Sequence, residues 1–217
     1  MDRVRCYIDG FNLYHAIDQL GQDHLKWVDL WKLMEHFLDP AQHRLDAVFY
    51  FSAFATWLPG PHRRHIQYVN ALRAVGVTSV MGKFYEKPRQ CVRCNNQWIA
   101  HEEKSSDVNI AVSLVGDAYD DLYDRALLVS RDSDLAPGVR RVLAKFPAKK
   151  VVIVAPPGRN HSSELVQALP QKRRSRYLKT IKPLHLERSL LPAGVKDHQG
   201  QVVAVRPVKY EPPAPLR

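Results

Sequence analysis

Four aspartates drawn from three remote stretches are the residues whose types and neighbours could do chemistry. Asp132 and Asp134 lie in Ser130-Arg131-Asp132-Ser133-Asp134, after the apolar run Ala126-Leu127-Leu128-Val129 and before Leu135 to Leu143, which reads as a helix. Asp9 lies in Asp9-Gly10-Phe11-Asn12, after Cys6-Tyr7-Ile8 and before another helix-like stretch. Each pattern is a strand that ends in an acidic turn and starts a helix. In a parallel sheet such turns emerge at the carboxyl ends of the strands, where α/β proteins place their sites. Asp107 joins them from the first turn of an amphipathic helix. Carboxylates gathered at one edge repel one another, and a divalent cation is the economical counter-charge.

Mg²⁺ or Mn²⁺ prefers oxygen ligands, so Asp9, Asp107, Asp132 and Asp134 are candidate ligands and catalytic residues, with Asn12 as a neutral neighbour. One ion would lower the pKa of a bound water and aim it at phosphorus. A second, roughly 4 Å away, would stabilise the leaving oxygen. Each acid also has a purely structural reading. Asp9 before Gly10 suits a turn or an N-cap, and Asp132 or Ser133 could cap the helix that follows. Asp134 could favour that helix's dipole. Asp107 could pair with Lys104. The joint arrangement is what favours a site.

The elements that must position these acids follow from periodicity. Val4 to Ile8, Leu45 to Phe51, Val77 to Met81, 126–130, Lys149 to Ala155 and a short stretch at Tyr177 to Thr180 read as strands. Helices are expected over Phe11 to Leu20, Leu25 to Leu38, His62 to Ala74, Lys104 to Tyr119, Leu135 to Leu143 and Ser162 to Leu169. In the fourth of these, Asp107, Ile110, Ala111, Leu114, Val115 and Ala118 share one face, with Asp107 its only charged member. Alternation of this kind predicts an α/β fold with a mostly parallel sheet between two helical layers. Residues 1–181 form the expected domain, interrupted over 82–101 by an inserted hairpin that carries two cysteines. From 182 to 217 periodicity fades and prolines recur, which predicts an irregular arm or a disordered tail.

Composition sets the frame. The chain has 217 residues, 45% of them apolar, a mean hydropathy of −0.34, a formal charge of +10 and a pI near 9.6. A basic excess of this size favours a polyanionic partner, because each neutralised phosphate releases counterions. No apolar run approaches the roughly 20 residues needed to span a bilayer, and the start of the chain has no signal-peptide pattern. A cytoplasmic protein is expected. Three cysteines give no disulfide framework. No Gly-rich phosphate loop is present, which weakens a nucleotide-binding or phosphatase reading.

Tyr7-Ile8-Asp9-Gly10-Phe11-Asn12-Leu13-Tyr14 resembles the opening motif of NYN domains, in the LabA-like branch of the PIN-like nuclease superfamily. Glu103-Lys104-Ser105-Ser106-Asp107-Val108 is similar to the central acidic motif of that family. Ser130-Arg131-Asp132-Ser133-Asp134-Leu135 is similar to its Ser-Gly-Asp-Ser-Asp-Phe signature. The motifs occur in family order across residues 3–170. The resemblance implies a PIN-like three-layer α/β/α sandwich and metal-dependent ribonuclease chemistry at Asp9, Asp107, Asp132 and Asp134, with Asn12 beside them. Arg131 stands where the family has glycine and Leu135 where it has phenylalanine. Arg131 would bind the scissile phosphate or pair with an acid.

Side features complete the expectations. Cys91-X-X-Cys94 has the spacing of half a tetrahedral zinc site, with His101 a third ligand and a second copy of the chain, as a homodimer, able to complete it. A reduced thiol pair is the competing reading. Lys104 and the run Lys172-Arg173-Arg174 are candidate grips on an RNA backbone, against a solvated turn. His62, Arg63, Arg64 and His65 form a second basic cluster. Trp98, Tyr85 and Phe84 could stack on unpaired bases or pack the hairpin. The leading expectation is a ribonuclease. A non-catalytic RNA-binding or partner-binding module is the alternative.

Overall fold

The structure, a computed structural model, describes residues 1–172 and 174–213. β1 (Asp2–Asp9) runs into α1 (Gly10–Asp18), and a short 3-10 turn, Asp23–Lys26, leads to α2 (Leu30–Glu35). β2 (His43–Ser52), α3 (Pro59–Ala74) and β3 (Thr78–Met81) follow. The hairpin of β4 (Lys83–Gln90) and β5 (Gln97–Lys104) stands between β3 and α4 (Ser106–Tyr119). β6 (Arg125–Val129), α5 (Ala136–Lys145), β7 (Lys150–Ala155), α6 (Ser163–Ala168) and β8 (Leu178–Thr180) complete the alternation. α7 (Pro183–Glu187), β9 (Gly194–Lys196) and β10 (Val202–Val205) form the C-terminal arm.

Six strands make one parallel sheet in the order β3-β2-β1-β6-β7-β8. Alternate side chains of β1 show why its apolar run is nearly continuous. Val4, Cys6 and Ile8 enter the cluster built by Leu13, Ile17, Leu33, Met34 and Leu72. Tyr7 enters the opposite cluster, with Ile110, Leu114, Val139 and Leu165. A strand covered on both faces has no polar side to show. The result is the three-layer α/β/α sandwich expected from the sequence.

Two expectations change. The helix expected over Leu25–Leu38 is broken, because Trp27 and Asp29 use their backbone to hold the arm. Leu191 N donates to Trp27 O at 3.0 Å, Asp29 N donates to Ser189 O at 2.7 Å, and Asp29 then caps α2 by accepting from Lys32 N. The second concerns the choice between arm and tail after 182. It is an arm: Leu191, Val195, Ala204 and Tyr210 bury themselves against Trp27 and Ala71. Trp27 Nε1 donates to Pro192 O at 2.9 Å. Proline-rich sequence carries no helical or strand period, so these long-range contacts left no local trace. No helix among the described residues is long and apolar enough to cross a membrane.

Candidate acidic site and neighbouring cavity

Asp9 is the last residue of β1 and, at the same time, the N-cap of α1. Its Oδ1 accepts from Asn12 N at 3.0 Å. Its Oδ2 accepts from Asn12 Nδ2 at 2.5 Å and from Ser130 Oγ at 2.9 Å. Ser130 is fully buried at the end of β6, and its hydroxyl also accepts from Asp132 N at 3.0 Å. Asp132 caps the next 3-10 turn, its Oδ1 accepting from Asp134 N at 2.9 Å. The capping reading and the cluster reading are therefore both correct for these two acids. One serine, paired to Asp9 and to the Asp132 backbone, locks the ends of two adjacent strands together.

Asp107 reaches the same edge from α4. That helix is pinned to β1 at its far end: Tyr7 Oη donates to Asp117 Oδ2 at 2.6 Å, and Arg5 Nη1 lies 2.9 Å from the same oxygen. Ser106, Ile110, Leu114 and Ala118 form its buried stripe, with Asp107 half-buried beside it. The competing structural reading, an Asp107–Lys104 pair, is not found among the ion pairs of the described residues. Lys104 still belongs to β5 and faces Glu102, 3.4 Å away.

The electrostatics record the convergence. Burial pushes the Asp107 carboxyl up to about 6, and the charges of Asp132, Asp9, Glu103 and Asp134 add to it. Burial likewise raises Asp9 above the usual carboxylate range, against the hydrogen bonds from Asn12 and Ser130. Among the described residues no lysine, arginine or histidine lies within ion-pair distance of Asp9, Asp107, Asp132 or Asp134. Uncompensated, partly desolvated oxygens are the donor set of a hard divalent cation. The side chains do not form a closed cage, however. Among the described residues no three His, Cys, Asp or Glu side chains are arranged to hold an ion between them.

Two members of this neighbourhood escaped the sequence reading as site residues. Ser130 stands in the quoted signature without a role of its own there. Glu103 Oε1 accepts from Ser106 N at 3.1 Å and from Ser106 Oγ at 2.7 Å, fixing the start of α4 while adding charge beside Asp107. Its position three residues before a helix-opening serine was the available signal.

Other candidates are dispersed. Arg131 is exposed at the acidic turn. Lys172 is exposed and Arg174 donates to Leu169 O at 3.1 Å. Both lie on the connection into the amino end of β8, whereas the acids lie beyond the carboxyl ends of β1 and β6. Arg173 lies outside the described residues. The zinc set separates as well. Cys91 and Cys94 are free thiols at the hairpin tip, while His101 pairs with Glu86 four residues down the ladder from the last rung, Gln90 to Gln97. At strand rise that is roughly 13–14 Å from the tip. His101 instead stacks on Trp57, ring centroids 3.7 Å apart. Among the described residues the hairpin thus offers two thiols rather than three zinc ligands, and none of those residues supports a homodimeric site. His65 also leaves the basic cluster, since burial lowers its pKa to about 4 and its Nε2 lies 3.1 Å from Tyr50 Oη.

Beside the acids lies a cavity of about 330 Å³ between α1, α3 and the carboxyl end of β2. Gly10, directly after Asp9, contributes to its wall, with Tyr14, Tyr50, Tyr68 and Tyr210. A side chain at Gly10 would meet Tyr50 Cε2 at 2.5 Å and Phe51 O at 2.6 Å. Glycine at position 10 is thus required by close packing at the site's edge.

Comparison with known proteins follows the same lines. A 6-hydroxy-3-succinoylpyridine 3-monooxygenase, HspA, of Pseudomonas putida is 28% identical over 197 residues, an alignment that takes in 74% of this chain. The chain spans 62% of that relative's length. A crystal structure of a protein of unknown function from Vibrio parahaemolyticus superposes with a TM-score of 0.55 at 20% identity, covering 88% of this chain and 96% of the other. That likeness is one of fold. The model of the NYN domain family matches residues 3–172, which include all three acidic stretches. The chain belongs to the NYN domain family.

Proposed function

We propose that the chain is a metal-dependent ribonuclease that hydrolyses phosphodiester bonds at the acidic edge. The observation that carries the reading is the gathering of Asp9, Asp107, Asp132, Asp134 and Glu103 near one edge, with no cation within ion-pair distance of the four aspartates among the described residues. Burial and that crowding raise the Asp107 carboxyl. Such strongly perturbed groups cluster at functional sites. Family membership and the basic charge of the chain support the same reading.

One or two carboxylates drawn from Asp9, Asp107 and Asp132 would hold Mg²⁺ or Mn²⁺, with Asp134 at the exposed rim. Mg²⁺ commonly takes only one or two carboxylates and keeps its waters, so an open donor set suits it. Bound there, the ion would acidify a water and offset charge on the phosphate. The chain's own part is positioning. Asn12 and Ser130 hold Asp9 in one rotamer, and Asn12 keeps an amide near the phosphate without adding charge. Asp107 would bring a further carboxylate to this edge from the first turn of α4. Arg131 at the exposed turn would meet the phosphate from outside.

The test is cleavage of RNA with Mn²⁺ by the wild-type chain and by Asp132→Asn. Wild-type cleavage should fall at least 100-fold in the variant while RNA binding persists. A non-catalytic RNA-binding module is the second reading, favoured by the absence of a closed ion cage among the described residues. It prevails if both proteins bind RNA equally and neither cuts it.

A further inference from the structure

We propose that the cavity between α1 and α3 is a subsite for one unpaired, uncharged base of the RNA strand whose phosphate lies at the acids. The inference rests on the ribonuclease reading above and names a contact that reading does not require. Its first support is position. Gly10 lines the cavity and directly follows Asp9, so the cavity adjoins the end of β1 that carries the first acid. Its second is the wall. Tyr14, Tyr50, Tyr68 and Tyr210 supply ring faces and edges, and base-on-aromatic stacking is indifferent to sequence. Its volume of about 330 Å³ is at the small end of the range for ligand sites, roughly 300–1,000 Å³, and excludes a duplex.

The rest of the wall is mostly apolar, with Phe11, Leu13, Ile17, Val28 and Phe84 in it, which suits a flat uncharged ring. Lys26 lines the cavity, but its ammonium is already held by Asp18 and Asp23. It sits 5.3 Å from the centre of the Tyr14 ring and 6.0 Å from that of the Tyr210 ring, so two carboxylates and two ring faces already surround its charge. Arg64 lines the cavity as well, set against the Tyr210 hydroxyl with its Nε buried, and His15, Ser52, His62 and His65 are the other polar side chains on the wall.

The measurement is a binding cycle on an oligoribonucleotide scanned with single abasic sites, read by fluorescence polarisation for wild type, Tyr14→Ala and Tyr14→Phe. Tyr14 is exposed at the mouth, so its removal leaves the core intact. One abasic position should weaken wild-type binding by about tenfold, the scale of one base stack. Tyr14→Ala should lose about the same on intact RNA and nothing further at that position, and Tyr14→Phe should behave as wild type. Additive losses, with wild-type binding and cleavage intact, overturn the subsite and leave the ribonuclease reading standing. Absence of any RNA binding removes both. Nicotinate, a free carboxylated heterocycle, serves as the competitor. Saturation of the cavity by nicotinate without displacement of RNA also overturns the proposal.

Discussion

Replacing Asp107 by Asn should make this protein more stable, provided no divalent ion is present. In the folded chain the Asp107 carboxyl is raised from an ordinary 3.8 to about 6, so its ionised form at pH 7.5 is held at a cost. The full displacement corresponds to roughly 3 kcal/mol. Asp107 is only half-buried and solvent screens part of that cost, which leaves about 1 kcal/mol. The sign is opposite to that of a salt-bridged acid. The folded state binds the proton more tightly, so this cost is absent below pH 3.8 and complete above about 6. In EDTA at pH 7.5, Asp107→Asn should therefore raise Tm by about 2–4 °C, the usual yield of 1 kcal/mol in a chain of this length. Mn²⁺ at 100 times its dissociation constant should then stabilise the wild type by about 2.7 kcal/mol and the variant by much less. Calorimetry with and without Mn²⁺ reads both effects. A variant less stable than wild type in EDTA, or equally stabilised by Mn²⁺, would refute the claim that Asp107 is an uncompensated charge awaiting a cation.

Two further outcomes follow from the packing around the site. His65, lowered to about 4 by burial, is neutral in the fold and charges readily when unfolded, so stability should fall as pH drops from about 6.5 to about 4. The loss is up to roughly 2–3 kcal/mol, and urea midpoints at pH 7 and pH 5 should differ less in His65→Gln than in wild type. Gly10→Ala would force a methyl to within 2.5 Å of Tyr50 and 2.6 Å of the Phe51 carbonyl. The cost should be about 1–3 kcal/mol by urea titration, and a neutral result would mean β2 yields where its backbone is expected to hold.

Ser130 shows how the site's rigidity arises. Its hydroxyl donates to Asp9 and accepts from the Asp132 backbone, so one buried side chain couples the motif of β1 to that of β6. A hydroxyl used in both directions leaves little freedom for the carboxylate it holds. The Asn12 amide adds a second restraint from α1. An acid fixed in this way requires little reordering when a ligand arrives, which is the condition for useful preorganisation.

What the sequence determined by itself is the part written in short-range pattern. Apolar runs such as Ala126 to Val129, each ending in an acidic turn, specify parallel strands and put Asp9 and Asp132 at their carboxyl ends. The 3.6-residue stripe of α4 told that Asp107 would lie near its buried face. Tertiary structure decided everything that depends on which distant segments meet. It broke the helix around Trp27 in favour of backbone bonds to Ser189 and Leu191, and it folded the proline-rich arm onto α3. It carried His101 down the hairpin away from Cys91 and Cys94, because strand register fixes distances that spacing along the chain does not. It also gathered Tyr14, Tyr50, Tyr68 and Tyr210 from four separate elements into one cavity beside Gly10. Periodicity is a property of a few turns of chain, whereas a site is a meeting of side chains that only the packed core brings together.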